Sequence, residues 1–246
     1  MGHISPRDAG SAGEAGSPGA ADVRGRPLVI GHRGASAAYP ENTVEAFLGA
    51  CALGADWVEL DARRSADGVL VVHHDERLPD GDAIASLERA ALPPSIPTLA
   101  AALAACEGMG VNAEIKHDRE DPARRVAAAT ADLLADHVGD LLVSSFDAEA
   151  LRVVRRRQPT LPTGALVSLV DDVEGWLDAA VSAGHVAVNP WDVLVDEALV
   201  VGAHGRGLRV NVWTVDDPDR MRALAALGVD GIITNVPDVA LAALGG

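Results

Sequence analysis

Lysine is almost missing from this chain: one residue in 246, Lys116, while nineteen arginines carry the rest of the positive charge. Basic charge is scarce altogether, and the formal net charge of -16 excludes the broad basic surface that nucleic acids and anionic membranes reward. Any phosphate ligand must therefore meet local positive charge or a metal ion. Cysteine is equally scarce: Cys51 and Cys106 lie in alanine-rich helical stretches with no CxxC or metal-type spacing, and both read as buried structural thiols. No basic leader with an apolar stretch opens the chain, and no uninterrupted apolar run is long enough to span a bilayer. A soluble cytoplasmic protein without stable membrane insertion is the expectation.

The length and the 48% hydrophobic content suffice for a full core. Residues 1–27, rich in Gly, Ala, Ser and Pro and without apolar periodicity, read as a flexible tail. From Leu28 onward eight short apolar runs, LVIG, DWVELD, VNAEIK, LLVSS, TGALVS, HVAVN, LRVNVW and DGIIT, alternate with helical patterns. The helices fall at about 42–53, 98–107, 122–137, 147–157, 172–183, 196–204, 217–227 and 238–243. Regular βα alternation implies a parallel sheet, and eight repeats over residues 28–246 predict a single α/β domain, a closed (β/α)8 TIM barrel, with an open doubly wound sheet as the alternative. VLVVHH at 69–74 interrupts the alternation after Asp67-Gly68, so 62–97 reads as an elaborated loop after strand 2. A hairpin there returns His74 to the mouth of the barrel.

Four polar clusters end apolar runs: His32-Arg33, Glu59-x-Asp61, His73-His74-Asp75 and Glu114-x-Lys116. Active sites of such barrels lie at the C-terminal ends of the strands. Glu59 and Asp61 share strand parity, as do Glu114 and Lys116, so each pair can point to one side. Three carboxylates in a confined mouth repel one another, and a hard divalent cation, Mg2+ or Ca2+ with Mn2+ admissible, relieves that repulsion. Salt bridges to nearby arginines are the structural alternative for each acid. Unperturbed imidazole titrates near neutrality, so His32 and His74 suit general acid and base work, although either alone also fits a hydrogen-bonded core histidine. Arg33 offers a bidentate donor and Lys116 a point charge to a phosphoryl group. Phosphoryl transfer uses that set of groups, because its transition state is stabilised chiefly by positioning and by offsetting negative charge.

HRGASAAYPENTVEAF at 32–47, GADWVELDARRSADGVLVVHHDERL at 54–78, IPTL at 96–99, NAEIK at 112–116, NVWTV at 211–215 and DGIITNVPD at 230–238 resemble the glycerophosphodiester phosphodiesterase family. The resemblance spans nearly the whole barrel. It implies a TIM barrel and metal-dependent hydrolysis of a small-molecule glycerophosphodiester to an alcohol and glycerol 3-phosphate. It further implies His32 and His74 as catalytic histidines, Glu59, Asp61 and Glu114 as metal ligands, and Arg33 and Lys116 as phosphate contacts. Trp213 matches a pocket tryptophan, against which stands a barrel-core aromatic. Asn42 reads as a cap of the first helix, and Glu41 as a support of the metal shell or of that helix's N-terminus.

Two departures stand out. The segment after His74-Asp75 reads ERLPDGDAIASLERAALPPS, without the family's usual Arg-Thr-Thr and with a short insertion. Thr234-Asn235 replaces a frequent Thr-Asp, with small expected effect. Of the two adjacent histidines, His74 is chosen over His73 because it directly precedes Asp75. Three readings compete: a barrel aldolase with Lys116 as Schiff-base lysine, a non-catalytic phosphoester-binding barrel, and lysophospholipase D-like cleavage of lysophospholipids on the same scaffold.

Overall fold

A computed structural model of the chain describes residues 25–119 and 121–245. Residues 1–24, most of the expected tail, lie outside the described residues. In chain order the elements are β1 (Leu28–His32), α1 (Val44–Leu53), β2 (Trp57–Arg64), β3 (Leu70–Val72), α2 (Leu99–Ala105), β4 (Gly110–Ile115) and α3 (Ala123–Leu134). Then follow β5 (Leu141–Ser145), α4 (Ala148–Arg157), β6 (Thr163–Val167), α5 (Val173–Ser182) and β7 (Ala187–Pro190). The chain closes with α6 (Glu197–His204), β8 (Arg209–Val212), α7 (Pro218–Leu227), β9 (Gly231–Thr234) and α8 (Pro237–Leu244).

Eight of the strands are parallel neighbours in the order β1, β2, β4, β5, β6, β7, β8, β9, and β9 pairs back to β1. The sheet is thus a closed barrel, and the open-sheet alternative is excluded. Each strand divides its residues by parity. Val58, Leu60, Val111, Ala113 and Val143 point outward into a core shared with α1 to α4, and Val188, Val210, Val212 and Ile232 into one shared with α5 to α8. The opposite parity fills the barrel, where Ile30, Trp57, Leu142, Ala187 and Ile233 form an apolar floor. Gly110 makes room for it, since a Cβ there would lie 2.1 Å from the Trp57 ring.

The interruption after strand 2 is a hairpin. β2 continues to Arg64, so residues 62–64, expected in the loop, belong to the strand. β3 returns antiparallel with Ala62 opposite Val72, and the His73 N–H donates to the Asp61 carbonyl at 3.0 Å. Val71, Leu78, Ile84, Leu92 and Ile96 give the following segment its own small core. The hairpin therefore has a fixed geometry, and with it the position of His74.

Local chemistry corrects two readings. Thr43, not Asn42, caps α1: its hydroxyl accepts the Ala46 N–H at 3.2 Å, while Asn42 turns its side chain into the barrel mouth. Cys51 is exposed rather than buried, because α1 buries Ala46, Phe47, Gly49 and Ala50 and turns position 51 to solvent. Cys106 is buried, and burial pushes its thiol up to about 12. Among the described residues no helix is long and apolar enough to cross a membrane.

Candidate active site

The register of the first three barrel strands sets the site. His32 pairs with Glu59 across β1 and β2, and Asp61 with Glu114 across β2 and β4. All face inward with the parity of Trp57: His32 and Glu59 stand one inward position beyond Ile30 and Trp57 of the apolar floor, and Asp61 and Glu114 one further. A cavity of about 250 Å³ opens there, lined by His32, Arg33, Glu59, His74, Glu114 and Lys116 on one side and by Phe146, Leu166, Trp213 and Ile233 on the other. Asp61, at 1% exposure, is not among these lining residues and packs against Arg33, Lys116 and Asn42. All the site residues expected from the sequence except Asp61 thus line one cavity, whereas His73 is not among its lining residues.

Glu59, Asp61 and Glu114 each offer a carboxylate oxygen within 4.8 Å of the others. Burial, reinforced by the charges of Asp61 and Glu114, holds Glu59 well above the ordinary carboxylate range. Burial and Asp61 raise Glu114 as well. For Asp61, Lys116, Arg33 and the Asn42 amide outweigh burial and hold the carboxyl below its usual value. The Oε1 of Glu59 is buried and lacks a hydrogen-bond partner. A crowded, all-oxygen donor set with an unsatisfied buried oxygen fits a hard divalent cation, which would satisfy that oxygen and relieve the mutual repulsion.

Two cations flank the triad. Lys116 sets its Nζ 2.9 Å from Glu114 Oε1 and 3.3 Å from Asp61 Oδ1. Burial opposes its charge, but Asp61, Glu114 and Glu59 prevail and hold the ammonium above its ordinary value. A Schiff-base lysine needs the free amine, so this environment speaks against the aldolase reading. Arg33 has a left-handed backbone, φ 58°, which aims its N–H at Glu59 Oε2, 3.1 Å away. Its guanidinium lies 3.2 Å from Asp61 Oδ2, and Nη1 donates to both oxygens of Glu41 at 2.9 Å. Glu41 therefore steadies Arg33 rather than joining the acidic triad. Asn42 shares the left-handed conformation at φ 58°, and such residues cost about 1–3 kcal/mol each, a strain concentrated here at the mouth.

The histidines are held differently. His32 Nδ1 lies 2.7 Å from Asn235 Oδ1, and burial together with Arg33 lowers its pKa, which favours the neutral ring. His74 Nδ1 lies 2.9 Å from Asp75 Oδ1. The backbone under His74 is gripped by buried Arg63, whose guanidinium donates to the carbonyls of His73 and His74 and pairs with buried Asp118. The sequence reading missed Arg63, Asp118 and the role of Asn42. Arg63 follows Glu59 and Asp61 at the same parity, and Asp118 lies two residues beyond Lys116, so the alternation already led to both.

Trp213 lines the cavity and also packs, partly buried, against the apolar floor. Its indole N–H donates to the Asn189 carbonyl at 2.8 Å, and Phe146 meets its ring edge-on at 5.6 Å between centroids. The cavity therefore has an ionic half on β1, β2 and β4 and an apolar half on β5, β6, β8 and β9.

Comparison with known proteins agrees with this architecture. The family model described as "Glycerophosphoryl diester phosphodiesterase family" matches residues 32–239. A glycerophosphodiester phosphodiesterase of Caldanaerobacter subterraneus subsp. tengcongensis is 33% identical, over 87% of this chain and 96% of that protein. A probable glycerophosphodiester phosphodiesterase 2 of Mycobacterium tuberculosis is 31% identical over 87% and 89%. The solved structure of an Oleispira antarctica phosphodiesterase in complex with the product sn-glycerol-3-phosphate superimposes with a TM-score of 0.83 at 27% identity, covering 90% of this chain and 98% of that one.

Proposed function

The chain belongs to the glycerophosphoryl diester phosphodiesterase family and is an enzyme of that family, and we propose that it hydrolyses glycerophosphodiesters to an alcohol and sn-glycerol 3-phosphate, with a divalent cation and two histidines. One observation carries this reading: His32, His74, Arg33, Glu59, Glu114 and Lys116 line a single cavity, and the buried Asp61 carboxylate lies within 4.8 Å of those of Glu59 and Glu114. Small-molecule esters fit a cavity of about 250 Å³.

Arg33 and Lys116 bind the phosphate oxygens, and their acidic neighbours keep both charged. Glu59, Asp61 and Glu114 would hold the cation, whose chemistry is to offset the charge of the phosphoryl group. His32, neutral in its buried setting, takes the proton of the attacking oxygen, whether from water or from the substrate's own glycerol hydroxyl. His74, steadied by Asp75, gives a proton to the departing alcohol oxygen as the P–O bond breaks. Trp213 and Phe146 pack against the apolar part of the substrate. With water as nucleophile the balance is one diester and one water to one alcohol and one phosphate monoester, and each histidine regains its starting state by proton exchange.

A second reading, cleavage of lysophospholipids, is favoured by the half-exposed Phe146 beside the cavity and by exposed Trp191 at the end of β7. The test is release of glycerol 3-phosphate from glycerophosphocholine and glycerophosphoethanolamine by chelator-stripped protein, with Mg2+, Ca2+ or Mn2+ restored in turn. Release that returns with a cation supports the proposal. Faster turnover of lysophosphatidylcholine than of glycerophosphocholine moves the assignment to the second reading, and no turnover of either overturns both.

A further inference from the structure

Outside the cavity, at the end of β9 and in the loop after β8, lies a chain of hydrogen bonds whose donors and acceptors can be assigned one after another. Asp216 is exposed and accepts three times: Oδ1 from the Thr234 hydroxyl at 2.9 Å and from the Asn235 backbone N–H at 2.8 Å, and Oδ2 from the Asn235 side-chain amide at 2.7 Å. A carboxylate only accepts, so the Nδ2 of Asn235 must face Asp216 and its Oδ1 must face the other way. That Oδ1 meets the Ser36 hydroxyl at 2.8 Å and His32 Nδ1 at 2.7 Å. An amide oxygen cannot donate, so the proton of the contact with His32 sits on Nδ1. The neutral ring then has its lone pair on Nε2.

From this geometry we infer that Asp216 and Asn235 are positioning residues that fix the ring orientation and the tautomer of His32, presenting a bare Nε2 to the substrate. The inference rests on the assignment of His32 as the proton acceptor. Asp216 is not among the residues that line the cavity, and it acts only through Asn235. Ser36 occupies the remaining lone pair of the amide oxygen, which leaves that oxygen no freedom to rotate away. Ser36 and Asp216 thus both hold the one amide that meets the His32 ring.

The test uses the full chain with Asn235→Leu, close in size but unable to hydrogen-bond, together with Asp216→Ala and the double variant. Turnover of glycerophosphocholine at saturating cation is expected to fall roughly 10- to 100-fold in kcat, less than the roughly 100- to 10,000-fold that a positioned proton acceptor contributes because His32 itself remains, with KM little changed. The double variant should lose no more than Asn235→Leu alone, because Asp216 works through that residue. ¹⁵N spectra of histidine-labelled protein should show the His32 proton on Nδ1 in the unaltered chain, and a shift toward the Nε2–H form in Asn235→Leu. Should Asp216→Ala disturb folding, Asn235→Leu and the spectrum of the unaltered chain still decide the question. An unchanged kcat in folded Asn235→Leu, or a His32 proton on Nε2 in the unaltered chain, overturns the inference. A chain that cleaves no diester yet keeps the proton on Nδ1 contradicts the proposed function instead, and the spectra separate the two failures.

Discussion

Asn42 holds Asp61 from both sides: its Nδ2 donates to Asp61 Oδ2 at 2.7 Å, and its Oδ1 accepts the Asp61 backbone N–H at 3.3 Å. The amide thus fixes the side chain of the most buried member of the acidic triad together with the strand that carries it. Only one orientation of the amide makes both bonds.

Asn42→Ala is therefore expected to weaken cation binding by roughly 10- to 100-fold, the usual effect of removing a group that orients a metal ligand. Titration of chelator-stripped protein with Mg2+ or Ca2+, followed by glycerol 3-phosphate release, measures it. Unchanged cation dependence would show that Asp61 needs no such support.

The pH dependence of stability follows from the acids. Glu59 and Glu114 have folded-state pKa values raised by burial and by like charge, so their contribution is fully present below the ordinary carboxylate range and is lost as pH rises through the raised values. Asp61 runs the other way, with its contribution lost only as pH falls through a depressed value. Chelator-treated protein should lose Tm as pH rises above the usual carboxylate range, and saturating divalent cation should flatten that slope. Glu59→Gln should flatten it without cation while weakening cation dependence of activity. A slope identical in all three samples would separate the triad from cation binding.

The Arg63–Asp118 pair is a stability determinant as well as a support for His74. Both side chains are nearly fully buried, at 4% and 3% exposure, so Asp118→Ala strands a buried guanidinium and should cost about 3–5 kcal/mol. Chemical denaturation measures that loss. Arg63→Met with Asp118→Leu should restore much of the stability, yet leave turnover low, because the carbonyls of His73 and His74 have lost their donor. Full turnover in the double variant would remove Arg63 from the account of the site.

Much of this site was legible in the sequence because a β-strand turns residue parity into direction. Glu59, Asp61, Glu114 and Lys116 each end an apolar run at matching parity, and closure of the barrel makes matching parity point to one place. Helix starts were also marked in the chain itself, as by Asp217-Pro218 and Pro237-Asp238. Arg63 and Asp118 could have been found by the same alternation, whereas other contacts that escaped are ones no spacing encodes. Asn42 reads as a helix cap because its neighbours resemble a helix start, and only the left-handed turn at Arg33 and Asn42 sends its amide to Asp61. Asp216 and Asn235 belong to different loops, and their meeting with His32 depends on the closing contact between β9 and β1.

Replacement of the histidines separates catalysis from folding. His32→Ala and His74→Ala should each retain the Tm of the unaltered chain within a few degrees and lose turnover by roughly 100-fold or more, as expected for removal of a general acid or base. The acidic limb of kcat/KM should lie below the ordinary imidazole value, because burial and Arg33 lower the His32 pKa. Full activity of either variant would contradict the two-histidine account.

The most direct measurement compares His74→Ala and His32→Ala on two diesters of glycerol phosphate, one releasing choline and one releasing p-nitrophenol. A nitrophenolate departs without protonation, so the His74→Ala defect should shrink at least tenfold on that substrate while the His32→Ala defect persists. Equal losses by His74→Ala on both substrates would contradict its assignment as the proton donor, and with it the central claim that two histidines divide the work at the attacking and departing oxygens.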